Sequence, residues 1–262
     1  KLTFIDVGQG DSILVEFPGH KKMLIDGGGL PSGTFDIGEN VVSPFLWRKG
    51  IKRIDYLVLT HAHPDHLNGL KAVARNFRIG EYWESMSPLK SEAYAEFKES
   101  LARSVLKKRV FQGFKYQEGR VRIEVLYPLE SNPYVDNVDN DQSLVLRLSY
   151  GQTSFLLPGD ISLSAEREIL ENGAGIRSQV LKSAHHGSNS SSSKDFLDRV
   201  APKIVVISVG RGNAYGFPNQ EVLNLYEEMK AKVLRTDILG AIEVSSDGQK
   251  LSVRCAEKEP DS

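Results

Sequence analysis

The sequence predicts an α/β protein in which two mixed β-sheets pack face to face with helices outside. Two observations carry this expectation. Apolar runs of strand length alternate with helical stretches in the order strands, helices, strands, helices, closing hairpin. No linker divides the 262 residues, so a single domain spanning 1–262 is expected.

The elements follow in order. Leu2 to Ile5, Ser12 to Phe17 and Met23 to Ile25 are short apolar runs. Gly8-Gln9-Gly10 and Pro18-Gly19-His20-Lys21 separate them as tight turns, so antiparallel pairing is expected at this end. Asn40 to Lys49 reads as a helix. Ile54 to Thr60 is nearly continuously apolar, as a strand buried on both faces would be. Helices are expected over Leu67 to Phe77, with Leu67, Leu70, Val73 and Ala74 on one face, and over Ser91 to Lys108, with Tyr94, Phe97, Leu101 and Val105. Val121 to Tyr127 is a strand, and Glu130 to Asp141 a polar loop. Ser143 to Tyr150 and Thr153 to Leu157 form a hairpin ending at Pro158-Gly159-Asp160. Helices over Ile161 to Asn172, Asp195 to Val200 and Gln220 to Lys230 alternate with strands over Ser178 to Lys182 and Ile204 to Val209. Ala241 to Val244 and Lys250 to Cys255 close the chain as a hairpin.

Composition sets outer bounds. Lys and Arg total 33 against 34 Asp and Glu, so no global charge draws the protein to nucleic acid or anionic membrane. Any such attraction falls to a local cluster, Arg48, Lys49, Lys52 and Arg53, or Lys107 to Arg109 with Lys115, Arg120 and Arg122. Each also reads as an ordinary solvated face. The single cysteine, Cys255, makes no intrachain disulfide. No apolar run approaches the ~20 residues of a membrane span. A start at Lys1 rather than Met is expected of a domain cut from something longer. A chain this long builds its core without a metal, so a bound metal is expected to do chemistry rather than hold the fold.

Five of the six histidines fall in two places, His61, His63 and His66 with Asp65 among them, and His185-His186. Imidazoles and a carboxylate packed into one short loop after a buried strand need partners, and a metal satisfies them together. Imidazole with carboxylate suits Zn²⁺, Mn²⁺ or Fe²⁺. His61 and His63 can face one ion, while Asp65 and His66 lie further along the curve and can serve a second. Asp160 ends a strand, as does the 185–186 pair, so both are placed to meet the first cluster at one rim. Taken alone, Asp160 reads equally as a helix N-cap, and the pair as a surface patch.

At these residues the chain resembles a known family. His61-Ala62-His63-Pro64-Asp65-His66 matches the metallo-β-lactamase superfamily signature, which implies that superfamily's αββα sandwich. Asp26 after Met23-Leu24-Ile25 resembles its supporting aspartate, and Asp160 its bridging aspartate. His185-His186 resemble its late histidine. Phe4 to Ser12, Asn140 to Leu146, Lys182 to Ser188 and Thr236-Asp237 with Gly240 to Ile242 are similar to the soluble domain of ComEC-type DNA-uptake proteins of natural competence. The resemblance implies two divalent metal ions, Mn²⁺ or Zn²⁺, and no organic cofactor. His61 and His63 would hold one ion, and Asp65, His66 and one histidine of the 185–186 pair, taken as His185 with the choice left open, the other, with Asp160 between. Asp65 and His186 would act in catalysis, and Asp26, Asn140 and Asp141 in support. Where the superfamily often has a histidine before the Ser143 strand, this loop offers Asp136, Asp139, Asn140 and Asp141. Where relatives commonly show Tyr-Gly-His-Pro, the chain has Tyr215-Gly216-Phe217-Pro218.

The function implied is a nuclease that degrades the non-transforming strand of incoming DNA. It would stand outside the cytoplasm, attached to membrane-spanning parts of the same protein and to other uptake components. Ser188, Asn189 and the serines after them would donate hydrogen bonds to a DNA backbone, or else form an ordinary surface loop. Tyr82, Trp83, Tyr134 and Tyr215 are the loop aromatics available to nucleotide bases. Two rivals remain at this point, a hydrolase of a small phosphodiester or ester such as a phosphorylcholine ester, and a module that grips DNA without cutting it.

Overall fold

The structure, a computed structural model, describes residues 1–31, 33–85, 91–130 and 139–256. Tyr134 and Asp136 lie outside them, as does the side chain of Asp139. One sheet comes mainly from the first half. It contains β1 (Leu2–Phe4), β2 (Ile13–Glu16), β3 (Lys22–Ile25), β4 (Arg53–Leu59), β5 (Arg78–Glu84) and β6 (Leu106–Arg109). Among these strands lie α1 (Ser43–Arg48), α2 (Pro64–Leu67), α3 (Leu70–Asn76) and α4 (Glu92–Ser100). The second sheet contains β7 (Lys115–Glu118), β8 (Val121–Tyr127), β9 (Val145–Tyr150), β10 (Thr153–Leu157), β11 (Val180–Lys182), β12 (Ile204–Ile207) and β13 (Lys232–Arg235). Its helices are α5 (Leu163–Glu171), α6 (Lys194–Val200) and α7 (Gln220–Glu228). A short α8 (Thr236–Leu239) then leads to β14 (Ile242–Ser246) and β15 (Leu251–Cys255), which return to the first sheet.

The strand orders are β15-β14-β1-β2-β3-β4-β5-β6 and β13-β12-β11-β10-β9-β8-β7. Both sheets are mixed. β1, β2 and β3 pair antiparallel as expected, and β3 to β6 then run parallel. In the second sheet β7 to β10 are antiparallel, and β10 to β13 parallel.

Side-chain alternation accounts for the layers. In β4, Tyr56 and Val58 enter the core between the sheets, while Leu57 and Leu59 enter an outer core with Leu46, Leu70, Val73 and Phe97 of the helices. A third core joins Leu156, Leu181, Val205 and Ile207 to Ile169, Phe196, Leu197 and Val222 of α5 to α7. Strands buried on both faces lose the polar half of their pattern, which is why the sequence shows apolar runs there. The architecture is helix, sheet, sheet, helix.

Several local expectations need correction. The helix read over 91–108 stops at Ser100. Leu101 is extended, and Leu106–Arg109 pairs parallel with β5. Leu101 and Val105 are both buried in the outer core, so their four-residue spacing imitates a helical stripe across a turn. Tyr82 and Trp83 are not loop aromatics. They lie in β5 and are fully buried, Tyr82 against the helices and Trp83 between the sheets. The strands at 78–84, 115–118 and 232–235 carry too many charged residues to read as apolar runs.

Each basic cluster has members engaged in ion pairs. Lys49 pairs with Glu16 at 3.1 Å, Arg53 with Asp55 at 2.9 Å and Lys108 with Glu81 at 2.8 Å. No helix among the described residues is long and apolar enough to cross a membrane.

Candidate metal centre

The site lies where strands end. Asp26 follows β3, His61 to His66 follow β4, Asp160 follows β10, and His185-His186 follow β11. In both sheets these strands lie where antiparallel pairing gives way to parallel. Pairing changes of this kind leave a crevice beyond the strands' carboxyl ends.

Backbone bonds fasten the loops together. Asp11 N–H donates to the Asp65 carbonyl (3.1 Å), Gly28 N–H to the Asp11 carbonyl (2.7 Å) and Gly27 N–H to the His66 carbonyl (2.8 Å). Such close approach leaves no room for side chains. A Cβ at Gly10, whose φ is +116°, would collide with the Asp65 carbonyl. Gly27, Gly38 and Gly69 meet backbone to backbone in the same way. Gly69 also separates α2 from α3, so the helix read over Leu67 to Phe77 begins at Leu70.

Asp26 orients two of the histidines. Fully buried, it accepts from Thr60 N–H (2.8 Å), Thr60 Oγ1–H (2.7 Å) and His66 Nδ1–H (2.8 Å). The Thr60 hydroxyl has only one proton and gives it to Asp26. The contact between Thr60 Oγ1 and His61 Nδ1 (3.1 Å) therefore has the imidazole donating. His186 Nδ1 donates to the Ser208 carbonyl (2.9 Å). With Nδ1 occupied in all three rings, Nε2 is the nitrogen each ring would offer a metal once deprotonated. This is the arrangement by which second partners set metal-binding tautomers.

The Nε2 atoms of His66 and His186 converge. His66 Nε2 and His186 Nε2 each stand 3.1 Å from Asp160 Oδ2, and His186 Nε2 stands 3.3 Å from Asp65 Oδ2. The His61 ring centre is 4.2 Å from that of His66 and 4.7 Å from that of His63. His61 Nε2 is buried without a hydrogen-bond partner, as is Asp11 Oδ1. Ligand atoms of Asp11, His66, Asp160 and His186 all lie within 4.8 Å of one another. An orphaned buried imidazole nitrogen beside gathered carboxylates fits a metal and is costly without one. The buried cluster is suited to binding a metal ion.

Of the neighbouring histidines, His186 enters the cluster. His185 is half-buried, with Nδ1 at 3.0 Å from Ser190 Oγ and its ring edge-on to Phe217. Both adopt left-handed backbone, φ 47° and 55°. Two such non-glycine residues in succession hold strain of order 1–3 kcal/mol each, characteristic of a functional turn. Asn140 lines the adjoining cleft with a buried, unpartnered Oδ1. Asp141 instead grips Ser162 N–H (2.7 Å) and Oγ–H (2.8 Å), fixing the segment after Asp160. Neither Ser188 nor Asn189 is among the cleft-lining residues. Ser188 is buried against Ser190, and Asn189 is exposed. The serine run is built into the fold, since Ser192 N–H and Ser193 N–H both donate to buried Glu166.

Two residues escaped the sequence reading, Asp11 and Lys182. Lys182 Nζ is fully buried and bridges Asp11 Oδ2 (2.5 Å) and Asp160 Oδ1 (3.1 Å), and it also donates to the Gly159 carbonyl. Burial would lower its pKa, but the two carboxylates raise it instead. Burial alone would likewise raise Asp160, yet His186, His66 and Lys182 hold its carboxyl well below the ordinary range. The available sign was a lysine ending an otherwise apolar strand, Val180-Leu181-Lys182.

The metal-free protein is expected to be pH-sensitive. Burial would lower His186, but Asp160 pushes it up to about 9. Its contribution to stability is complete below the ordinary histidine value of about 6.5 and is lost as pH rises through about 9. His61 acts with opposite sign. Burial holds it well below its ordinary value, so its contribution is present above about pH 6.5 and is lost as pH falls below that. Urea midpoints measured in chelator should therefore fall from about pH 7 to about pH 9.5. A flat profile there would contradict the His186–Asp160 pairing.

Residues 5–211 match the family model "Metallo-beta-lactamase superfamily". The chain belongs to the metallo-β-lactamase superfamily. Tm1679, a metal-dependent hydrolase of this superfamily, superposes with a TM-score of 0.59 over 94% of this chain and 100% of that one, at 13% identity. Among curated proteins, ComE operon protein 3 of Bacillus subtilis is 34% identical over 93% of this metallo-β-lactamase chain and 32% of its own length. Competence protein ComA of Neisseria gonorrhoeae is 35% identical over 92% of the chain and 32% of its own length. The chain thus spans about a third of these competence relatives.

Proposed function

We propose that this metallo-β-lactamase chain is the nuclease domain of a DNA-uptake protein, hydrolysing phosphodiester bonds of single-stranded DNA with two divalent cations, Mn²⁺ or Zn²⁺. In this reading it is one domain of a longer membrane protein, acts on the extracytoplasmic side with other uptake components, and degrades the strand that is not taken up. The observation that carries it is the convergence of His66 and His186 Nε2 on Asp160 and Asp65, with the His61 ring packed against that of His66 and each ring locked through Nδ1. Its similarity to Competence protein ComA supports DNA as the substrate class of this reading.

His61 and His63 would hold one ion, and Asp65, His66 and His186 the other, with Asp160 between. The roles first read for the histidine pair change places. His186 becomes the ligand, and His185, on the cleft wall, faces the substrate. Bound divalent cations would supply Lewis acidity and a more acidic water. The chain's residues do the rest. Burial would raise Asp65, but His66 and His186 keep its carboxyl below the ordinary range, so it is ionised and partly exposed at the cleft. Its Oδ2 accepts the proton of the attacking water as the new P–O bond forms and the bond to the leaving sugar oxygen breaks. Burial lowers His185, so a neutral imidazole fixed by Ser190 offers a hydrogen bond to the phosphoryl group. Lys182 holds Asp160 Oδ1 and so leaves Oδ2 directed at the histidines.

A single-stranded oligonucleotide incubated with Mn²⁺ or Zn²⁺ should be degraded, and Asp65→Ala should slow this by about 100-fold or more. Degradation no faster than that of the Asp65→Ala protein would favour a module that binds DNA without cutting it. Turnover of a small phosphodiester with DNA left intact would favour the small-substrate rival.

A further inference from the structure

The geometry points to a nucleobase-stacking platform built from Tyr215 and Phe217 at the wall of the catalytic cleft, and this inference rests on the single-strand nuclease reading above. Tyr215 is 60% exposed. Its ring lies nearly parallel to that of Phe217, with centroids 5.6 Å apart and planes at 18°. Phe217 in turn meets the His185 ring edge-on at 5.7 Å. The aromatic pair therefore continues directly from the group placed against the phosphate.

The loop is held rigid for the purpose. Asn213 Oδ1 accepts from Tyr215 N–H (3.2 Å) and Phe217 N–H (3.0 Å). Its Nδ2 donates to the Gly210 (3.0 Å) and Phe217 (2.7 Å) carbonyls. Both rings line the same cleft, of about 680 Å³, as Asp65, Asp160 and His186, which is room for a nucleotide rather than a phosphate alone.

A rigid, exposed aromatic face beside a phosphodiester site suits a base that is already unstacked. Every base has a π-face, so such a platform binds single strands with little regard to sequence. Bases in a duplex are stacked on their neighbours and gain nothing from it. Phe217 then has a positive role where relatives commonly carry histidine, since it backs Tyr215 and positions the ring over the cleft.

The test compares an intact oligothymidylate with one bearing abasic tetrahydrofuran sites. Tyr215→Ala, Tyr215→Leu and Tyr215→Phe proteins are assayed for cleavage with Mn²⁺. Binding is followed by fluorescence anisotropy in an Asp65→Ala background. Wild type should favour the intact strand. Tyr215→Ala and Tyr215→Leu should raise KM and Kd for the intact strand about tenfold, equivalent to about 1.4 kcal/mol, leave kcat near wild type, and erase the preference over the abasic strand. Tyr215→Phe should retain the preference. Unchanged KM and Kd in Tyr215→Ala, or no preference in wild type, would overturn the platform while leaving any observed cleavage to stand. Tyr215-dependent binding without cleavage by wild type would uphold the platform and remove the nuclease reading.

Discussion

Asp160→Asn should abolish metal-dependent hydrolysis, by roughly three orders of magnitude, while leaving a folded protein. The substitution keeps the shape of the side chain but removes the charge at which His66, His186 and Lys182 converge. Loss of one preorganised electrostatic contact costs about 10²–10³ in rate. A residue that also helps hold the cations should lie at the upper end or beyond. The same substitution should release His186 from the carboxylate that raises it, so its pKa in the metal-free protein should fall from about 9 toward ordinary histidine values. Rate measurements across Mn²⁺ concentrations, with NMR titration of the histidine ring protons, check both halves. Retained activity at saturating metal would remove Asp160 from the account.

Lys182→Met should cost the metal-free protein about 3–5 kcal/mol, because it leaves the Asp11 and Asp160 carboxylates buried without their shared ammonium. Methionine nearly matches the lysine stem in volume, so the loss reports charge rather than a cavity. Added cations would compensate those carboxylates in the ammonium's place. Mn²⁺ should therefore recover more stability in Lys182→Met than it adds to wild type. Urea unfolding of both proteins, with chelator and with Mn²⁺, measures this. Equal stability of the two in chelator would show that the ammonium has no structural role.

These two residues mark where sequence reading reached and where it stopped. His61 to His66 were legible because four polar positions on one short loop after a buried strand have few other uses. Asp160 was legible as a carboxylate ending an apolar run, and Asp26 through the family resemblance. Which of His185 and His186 turns inward was not legible. That choice is made by two left-handed backbone positions and by the Ser208 carbonyl, neither visible in residue identities. Asp11 and Lys182 stayed hidden for a related reason. Each looks ordinary alone, and their chemistry exists only when β11 brings the lysine beneath the loop that follows β1.

The fold divided in the same way. Strands buried on both faces, such as β4, showed themselves as apolar runs. Charged strands such as β6 depended on a partner's open edge, and no local pattern reports that. The helix boundary at Ser100 was lost because Leu101 and Val105 serve one core from opposite sides of a turn.

The most direct measurement is anomalous diffraction from crystals of the protein loaded with Mn²⁺. Two peaks are expected in the cleft, one beside His61 and His63 and one among Asp65, His66 and His186, with Asp160 touching both. Manganese located away from these side chains, with Asp160 still held only by Lys182 and protonated histidines, would contradict the proposal that the strand ends are gathered to hold metal.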